Sequence, residues 1–240
     1  MAIEFHQVVA GYSPTLTILN ELSFQARDGE ITLLIGPNGA GKSTALKTLF
    51  GLLVPRSGGI KLDGRDVAGS TPRAMLDSGV AFVPQGRNLF GSLSVLHNLE
   101  LGGITVKKNL NERIAEVLER FPRIRERLGN QASTLSGGEQ KQLEIGRALL
   151  LRPRVILVDE PSVGLSPLIS QEVFKLLRAL ADGGTTVLMV EQNVRSALKY
   201  ADRALVLEMG RLALERPAGE LLRDPDLNRL FLGASIRRMS

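Results

Sequence analysis

Four short, almost unbroken apolar runs, Ile31–Ile35, Val80–Val83, 155–158 and Thr186–Val190, each end at a polar or glycine-rich turn. Runs of this length without polar alternation predict strands covered on both faces, as in a parallel sheet sandwiched by helices. Residues 204–207 predict a fifth strand. Between the runs, apolar side chains recur at i, i+3, i+4 and i+7: Leu46, Leu49, Phe50 and Leu53; Ile114, Val117, Leu118 and Phe121; Val173, Leu176, Leu177 and Leu180. Each set is one face of an amphipathic helix. Strands alternating with helices predict an α/β fold with a mainly parallel core sheet.

Two parts of the chain break that alternation. Residues 1–30 and 56–66 read as short strands interrupted by turn residues, without helices between them, and predict an antiparallel β subdomain. Residues 88–151 lose the strand signal and predict a helical subdomain. No repeat, low-complexity tract or flexible linker divides the sequence, so residues 1–240 are expected to form a single domain.

Composition narrows the picture only a little. Hydrophobic residues make up 43% and charged residues 23%, the balance of a globular chain and not of a disordered one. The net charge of +5 permits an anionic partner, but the densest basic stretch is Arg237-Arg238, so charge alone does not indicate nucleic acid. Cysteine is absent and the two histidines, His6 and His97, stand far apart, which excludes thiolate metal sites and gives no zinc spacing. No apolar stretch reaches the ~18 residues of a membrane-spanning helix, and the N-terminus lacks a signal-peptide pattern. Any membrane role is therefore expected to come through a partner.

The strongest chemical signal is Gly36-Pro37-Asn38-Gly39-Ala40-Gly41-Lys42-Ser43, set between a strand and a helix as a phosphate-binding loop must be. Glycines let backbone N–H groups wrap phosphates, and the following helix turns its positive end toward them. Lys42 is suited to the β- and γ-phosphates and the Ser43 hydroxyl to Mg²⁺. Downstream, the run 155–158 ends in Asp159-Glu160, at the carboxyl edge of the sheet where ligands of open α/β folds bind. Asp159 can hold a metal shell while Glu160 polarises an attacking water; the plain alternative is a pair of solvated acids before Pro161. Leu135-Ser136-Gly137-Gly138-Glu139-Gln140 reads as an N-cap and turn, and equally as a second phosphate clamp at a helix start.

Taken together, 36–44, Gln85, 135–140, 155–160 and 162–167 stand in the order and spacing of ABC-type ATPases, a resemblance covering practically the whole chain. It implies the P-loop NTPase fold of that family, ATP and Mg²⁺ as ligands, and ATP hydrolysis coupled to transport. Gly36, Pro37, Asn38, Gly39, Ala40, Gly41, Lys42, Ser43 and Thr44 then bind ATP, and Tyr12 stands where the family stacks a ring on adenine, with ordinary packing as the alternative. Ser43, Asp159 and Gln85 are the implied metal ligands, Gln85 also sensing the attached membrane subunit. Glu160 and Gln192 are the implied catalytic pair. Two such subunits stack head to tail in the family, so Ser136, Gly137, Gly138 and Glu139 are expected to act in trans on the partner's ATP, and residues 162–167 to cross the interface.

Gln192 departs from the family, which usually has histidine there. Glutamine at this position, with 145–149 and 160–167, resembles one of the paired ATP-binding subunits of branched-chain amino acid importers. Many of that subgroup carry glutamate where Gln85-Gly86-Arg87 begins, whereas urea importer subunits often carry glutamine. The implied partners are a second ATP-binding subunit, identical or not, and transmembrane permeases, with the chain peripheral at the cytoplasmic, inner face of the cell membrane. A DNA-maintenance or translation ATPase is the rival reading. It lacks support in the absence of long heptad runs or a duplicated ATPase half. A nucleotide-binding module without hydrolysis is disfavoured by the presence of Lys42 and Glu160.

Overall fold

The computed structural model describes residues 1–86, 88–106 and 108–225; Arg87 and the Arg237-Arg238 pair lie outside them. The chain opens with β1 (Ile3–Ala10), β2 (Leu19–Ala26) and β3 (Ile31–Ile35), then α1 (Lys42–Leu49), β4 (Ser57–Leu62), β5 (Arg65–Asp66), α2 (Pro72–Asp77) and β6 (Val80–Val83). A helical stretch follows: α3 (Val95–Gly102), α4 (Leu110–Arg120), α5 (Pro122–Arg125) and α6 (Gly137–Leu149). Strands then return as β7 (Val155–Asp159), α7 (Pro167–Asp182), β8 (Thr186–Val190), α8 (Val194–Leu198), β9 (Arg203–Glu208), β10 (Arg211–Pro217) and α9 (Ala218–Arg223).

Two sheets result, ordered β2-β1-β4-β5 and β10-β9-β3-β8-β7-β6. The first is antiparallel throughout. In the second, β9, β3, β8, β7 and β6 run parallel and β10 turns back against β9. The short apolar runs are explained by burial on both faces. Ile31, Leu33 and Ile35 of β3 join Ile156 and Val158 of β7 in one core with the helices. Leu34 and Leu157 face the opposite way, into a second core shared with α1 and the antiparallel sheet. Side chains alternate across a strand, so an all-apolar run serves both cores at once.

The structure refines three expectations. The helix predicted to include Leu53 stops at Leu49, because Gly51 adopts φ 81 and a side chain there would strike the Ser70 carbonyl oxygen at 2.1 Å. The strand reaching Val158 runs one residue further and takes in Asp159, which pairs with Val190. Strand β10 is not anticipated at all, since its alternating Leu212 and Leu214 lie among charged, half-exposed positions that carry no continuous apolar run. Parallel pairing is what matters for the site. The turns after β3, β6, β7 and β8 all emerge at the same carboxyl edge of adjacent strands.

Candidate active site

The turn after β3 is shaped by its glycines. Gly36 takes φ 144 with the Leu207 carbonyl oxygen 2.1 Å from where a Cβ would be, so no side chain fits. Gly41, at φ 100, is the N-cap of α1, and no side chain caps that helix, which leaves the first turn's N–H groups to an external acceptor. Lys42 is buried, and its ammonium donates to the carbonyls of Gly36 at 2.9 Å and Pro37 at 3.0 Å, folding the loop around it. Burial lowers the Lys42 pKa from the ordinary lysine value, against the opposing pull of Glu160 and Asp159. A cavity of about 230 Å³ opens here, lined by Asn38, Gly39, Lys42, Ser43, Thr44 and Glu160, with Tyr12 at its rim. Tyr12 is 53% exposed, and Lys47 reaches over its ring at 5.5 Å and donates to its hydroxyl at 3.3 Å. An exposed ring is the right shape to stack a base.

Across the sheet, Ser43 Oγ donates to Asp159 Oδ1 at 2.9 Å. Burial pushes the Asp159 carboxyl above the usual carboxylate range; the Ser43 hydroxyl works against that and the neighbouring Glu160 charge adds to it. Ser43 and Asp159 offer hard oxygen donors only, and no group of three or more acidic or histidine side chains forms a complete cage among the described residues. The donor set fits an Mg²⁺ ion whose remaining positions are filled by phosphate and water.

Glu160 begins the turn after β7 in a left-handed conformation, φ 50, which a non-glycine residue adopts only when its surroundings hold it there. Its peptide N–H donates to Val190 O at 2.9 Å. Its carboxylate is gripped from both sides, by Gln85 Nε2 at 2.5 Å on Oε2 and by Gln192 Nε2 at 2.7 Å on Oε1. Three turns that sequence reasoning could place only separately thus meet on one carboxylate, which is 6% exposed as part of its residue.

Directly beside this pair stands Glu191, a residue the sequence gives no cause to single out. It is 1% exposed and its carboxylate accepts four hydrogen bonds: Ser162 N at 2.7 Å on Oε1, then Ser162 Oγ at 2.9 Å, Gln192 N at 3.0 Å and Asn193 N at 3.1 Å on Oε2. Burial raises its pKa, and the Ser162 hydroxyl, with the three N–H groups, pulls it back. The only signal in the sequence is an acid closing an apolar strand, which is also the commonest way for a strand to end at the surface.

The serine-glycine segment forms the start of α6. Ser136 is the N-cap; it accepts from Glu139 N at 3.3 Å, and its own N–H and hydroxyl donate to Glu139 Oε2 at 2.8 Å each, a complete capping box. Although burial opposes it, those donors with Arg127 and Arg123 hold the Glu139 carboxyl below its ordinary value. Gly138 has no room for a side chain, with Ile169 Cγ2 2.6 Å from its notional Cβ, so α6 seats directly on α7. None of Ser136, Gly137, Gly138 or Glu139 lines the cavity at the phosphate loop.

The family profile described as "ABC transporter" matches residues 19–163. The chain is 43% identical over 226 residues to BraG, the high-affinity branched-chain amino acid transport ATP-binding protein of Pseudomonas aeruginosa, covering 94% of this chain and 97% of BraG. Among solved structures it resembles the ADP conformation of MJ1267, an ATP-binding cassette of an ABC transporter, with a TM-score of 0.86 and 28% identity over 97% of this chain and 99% of that one. The dimeric structure of MJ0796, a bacterial ABC transporter cassette, gives a TM-score of 0.80 and 26% identity over 92% and 99% of the two chains.

Proposed function

The chain belongs to the ABC transporter family of ATP-binding, ATP-hydrolysing proteins, and on that premise we propose that it powers an importer of branched-chain amino acids from the cytoplasmic face of a membrane. The observation that carries the cargo assignment is the similarity to BraG, which runs the length of both chains. No helix among the described residues is long and apolar enough to cross a membrane; in this reading permease partners supply the path for the cargo. A groove of about 340 Å³ beside the Gln85 turn, lined by Phe82, Pro84, Leu101, Ile104 and Arg147 among others, offers such a partner a largely apolar surface.

In this reading the phosphate loop and Lys42 would hold the ATP phosphates, Tyr12 would stack on the base, and Ser43 and Asp159 would hold Mg²⁺, with the Gln85 side-chain oxygen left to it while the Gln85 amide N–H₂ donates to Glu160; the ion would supply positive charge to the phosphates. Glu160 takes the proton of the attacking water. Its two carboxylate oxygens are already aimed by Gln85 and Gln192, which lowers the reorganisation needed at the moment of reaction. Gln192 donates a hydrogen bond but has no titration in the working range, so it orients and does not shuttle protons. MJ0796 forms a dimer; in the same way a second cassette would pair with this one and bring its Ser136-Gly137-Gly138-Glu139 segment to close each site.

One observation favours a different cargo. The Gln85 amide donates to Glu160 at 2.5 Å, and a glutamate there would set two carboxylates against each other. Many branched-chain amino acid importer subunits carry glutamate at this place, and a glutamine resembles what urea importer subunits often carry. Co-purification with the permeases and uptake assays into vesicles with leucine and with urea separate the two. Leucine-stimulated ATP hydrolysis and uptake are expected; stimulation by urea alone would transfer the assignment.

A further inference from the structure

The β7–β8 ladder ends at Asp159 paired with Val190, and one further backbone bond, Glu160 N to Val190 O, closes it. Past Val190 no further backbone bond among the described residues joins the turn after β7 to the turn after β8, although Glu160 and Gln192 meet there side chain to side chain. A side chain supplies the tie between the two stretches of main chain. Glu191 reaches from the end of β8 to the turn after β7 and takes both the N–H and the hydroxyl of Ser162, while the same carboxylate takes the N–H of Gln192 and of Asn193.

We infer that Glu191 is a positioning residue for ATP hydrolysis, a buried anionic staple that sets the distance between Glu160 and Gln192 by tying the turn after β7 to the turn after β8. Two further facts support it. First, the staple binds backbone N–H groups on both turns, so it fixes main chain and not merely side-chain rotamers. Second, Ser162 stands two residues after Glu160 in the same turn, so the bond to its N–H fixes where that turn lies relative to Gln192. A carboxylate is the side chain suited to the task. Its two oxygens accept all four donors, whereas an amide of the same shape must present N–H₂ to at least one of them.

The inference rests on reading Glu160 and Gln192 as the hydrolytic pair, and a double-mutant cycle tests the two separately. Glu191→Gln, Gln192→Ala and the double variant are compared for kcat, KM for ATP and melting temperature, in the assembled transporter. Glu191→Gln is expected to lower kcat about tenfold, the scale of a sub-ångström misplacement, and to leave KM for ATP within about twofold. Because Glu191 works through Gln192, the double variant is expected to be no slower than the slower single variant. An unchanged kcat overturns the assignment, and so do fold-losses that multiply in the double variant, which would mean that Glu191 acts elsewhere. A shift in melting temperature with kcat intact likewise reduces Glu191 to a structural cap. Full activity of Gln192→Ala on its own removes the hydrolytic pair itself, and the staple with it. Should Glu191→Gln fail to fold, Ser162→Ala deletes only the hydroxyl donor and is expected to lower kcat about threefold by the same logic; wild-type turnover there overturns the inference.

Discussion

Glu160 carries the smallest-scale lesson, because one carboxylate reports on three parts of the chain. Glu160→Gln keeps its shape but cannot accept a proton, and it places an amide where Gln85 and Gln192 both donate. Hydrolysis is expected to fall by about 10²–10⁴, the usual contribution of a positioned base, with ATP affinity little changed. Single-turnover kinetics with isothermal titration of ATP checks both halves of that statement, and near-normal turnover removes Glu160 from the chemistry. At this scale the sequence was partly legible. Lys42, Ser43, Asp159 and Glu160 are visible because motif spacing exposes them, and the structure puts Ser43 and Asp159 in hydrogen-bond contact. Glu191 is invisible because its role depends on donors from Ser162, far away in the chain, and nothing local distinguishes a buried acid from a solvated one.

Among the elements, α6 joins local and long-range demands most tightly. Its first turn is capped by Ser136 and Glu139, and its second residue, Gly138, must stay small for α7 to approach. Ser136→Ala is expected to cost about 1 kcal/mol of stability through the lost cap. Ser136→Arg goes further and obstructs the surface proposed to face the partner's ATP. ATP binding by the isolated subunit is expected to persist while hydrolysis fails, as measured by nucleotide titration and steady-state turnover. Mixing with a hydrolytically dead cassette that keeps its own Ser136 is expected to restore turnover at the variant's intact site. No restoration would remove the trans role. Helices such as α4 and α7 were legible because a single apolar face suffices to specify them; Ile114, Val117, Val173 and Leu177 are all buried. The early end of α1 was not, since the Gly51 turn is dictated by the Ser70 backbone approaching from another segment.

For the whole molecule, what counts is the neighbour relation β3-β8-β7-β6, which lines up the phosphate loop, Gln192, Glu160 and Gln85 along one edge. Parallel strands cannot be joined by hairpins; each pairing closes a long crossover, and pairings between distant segments form late and slowly. The half of the site that holds Asp159, Glu160 and Gln192 therefore has no local precursor. A chain that has formed α1 and the phosphate loop still lacks Asp159 beside Ser43 until β7 and β8 have been inserted. ATP then distinguishes finished molecules from unfinished ones. At a hundredfold excess over Kd it should add about 2.7 kcal/mol to native stability, several degrees in melting temperature, and Lys42→Ala should abolish the shift. In refolding, nucleotide binding should return with the slowest phase, behind the recovery of helical signal. Molecules in which β7 and β8 have yet to join the sheet lack Asp159, Glu160 and Gln192 at the site, so ATP turnover is expected to be absent from them and to appear only with the finished sheet.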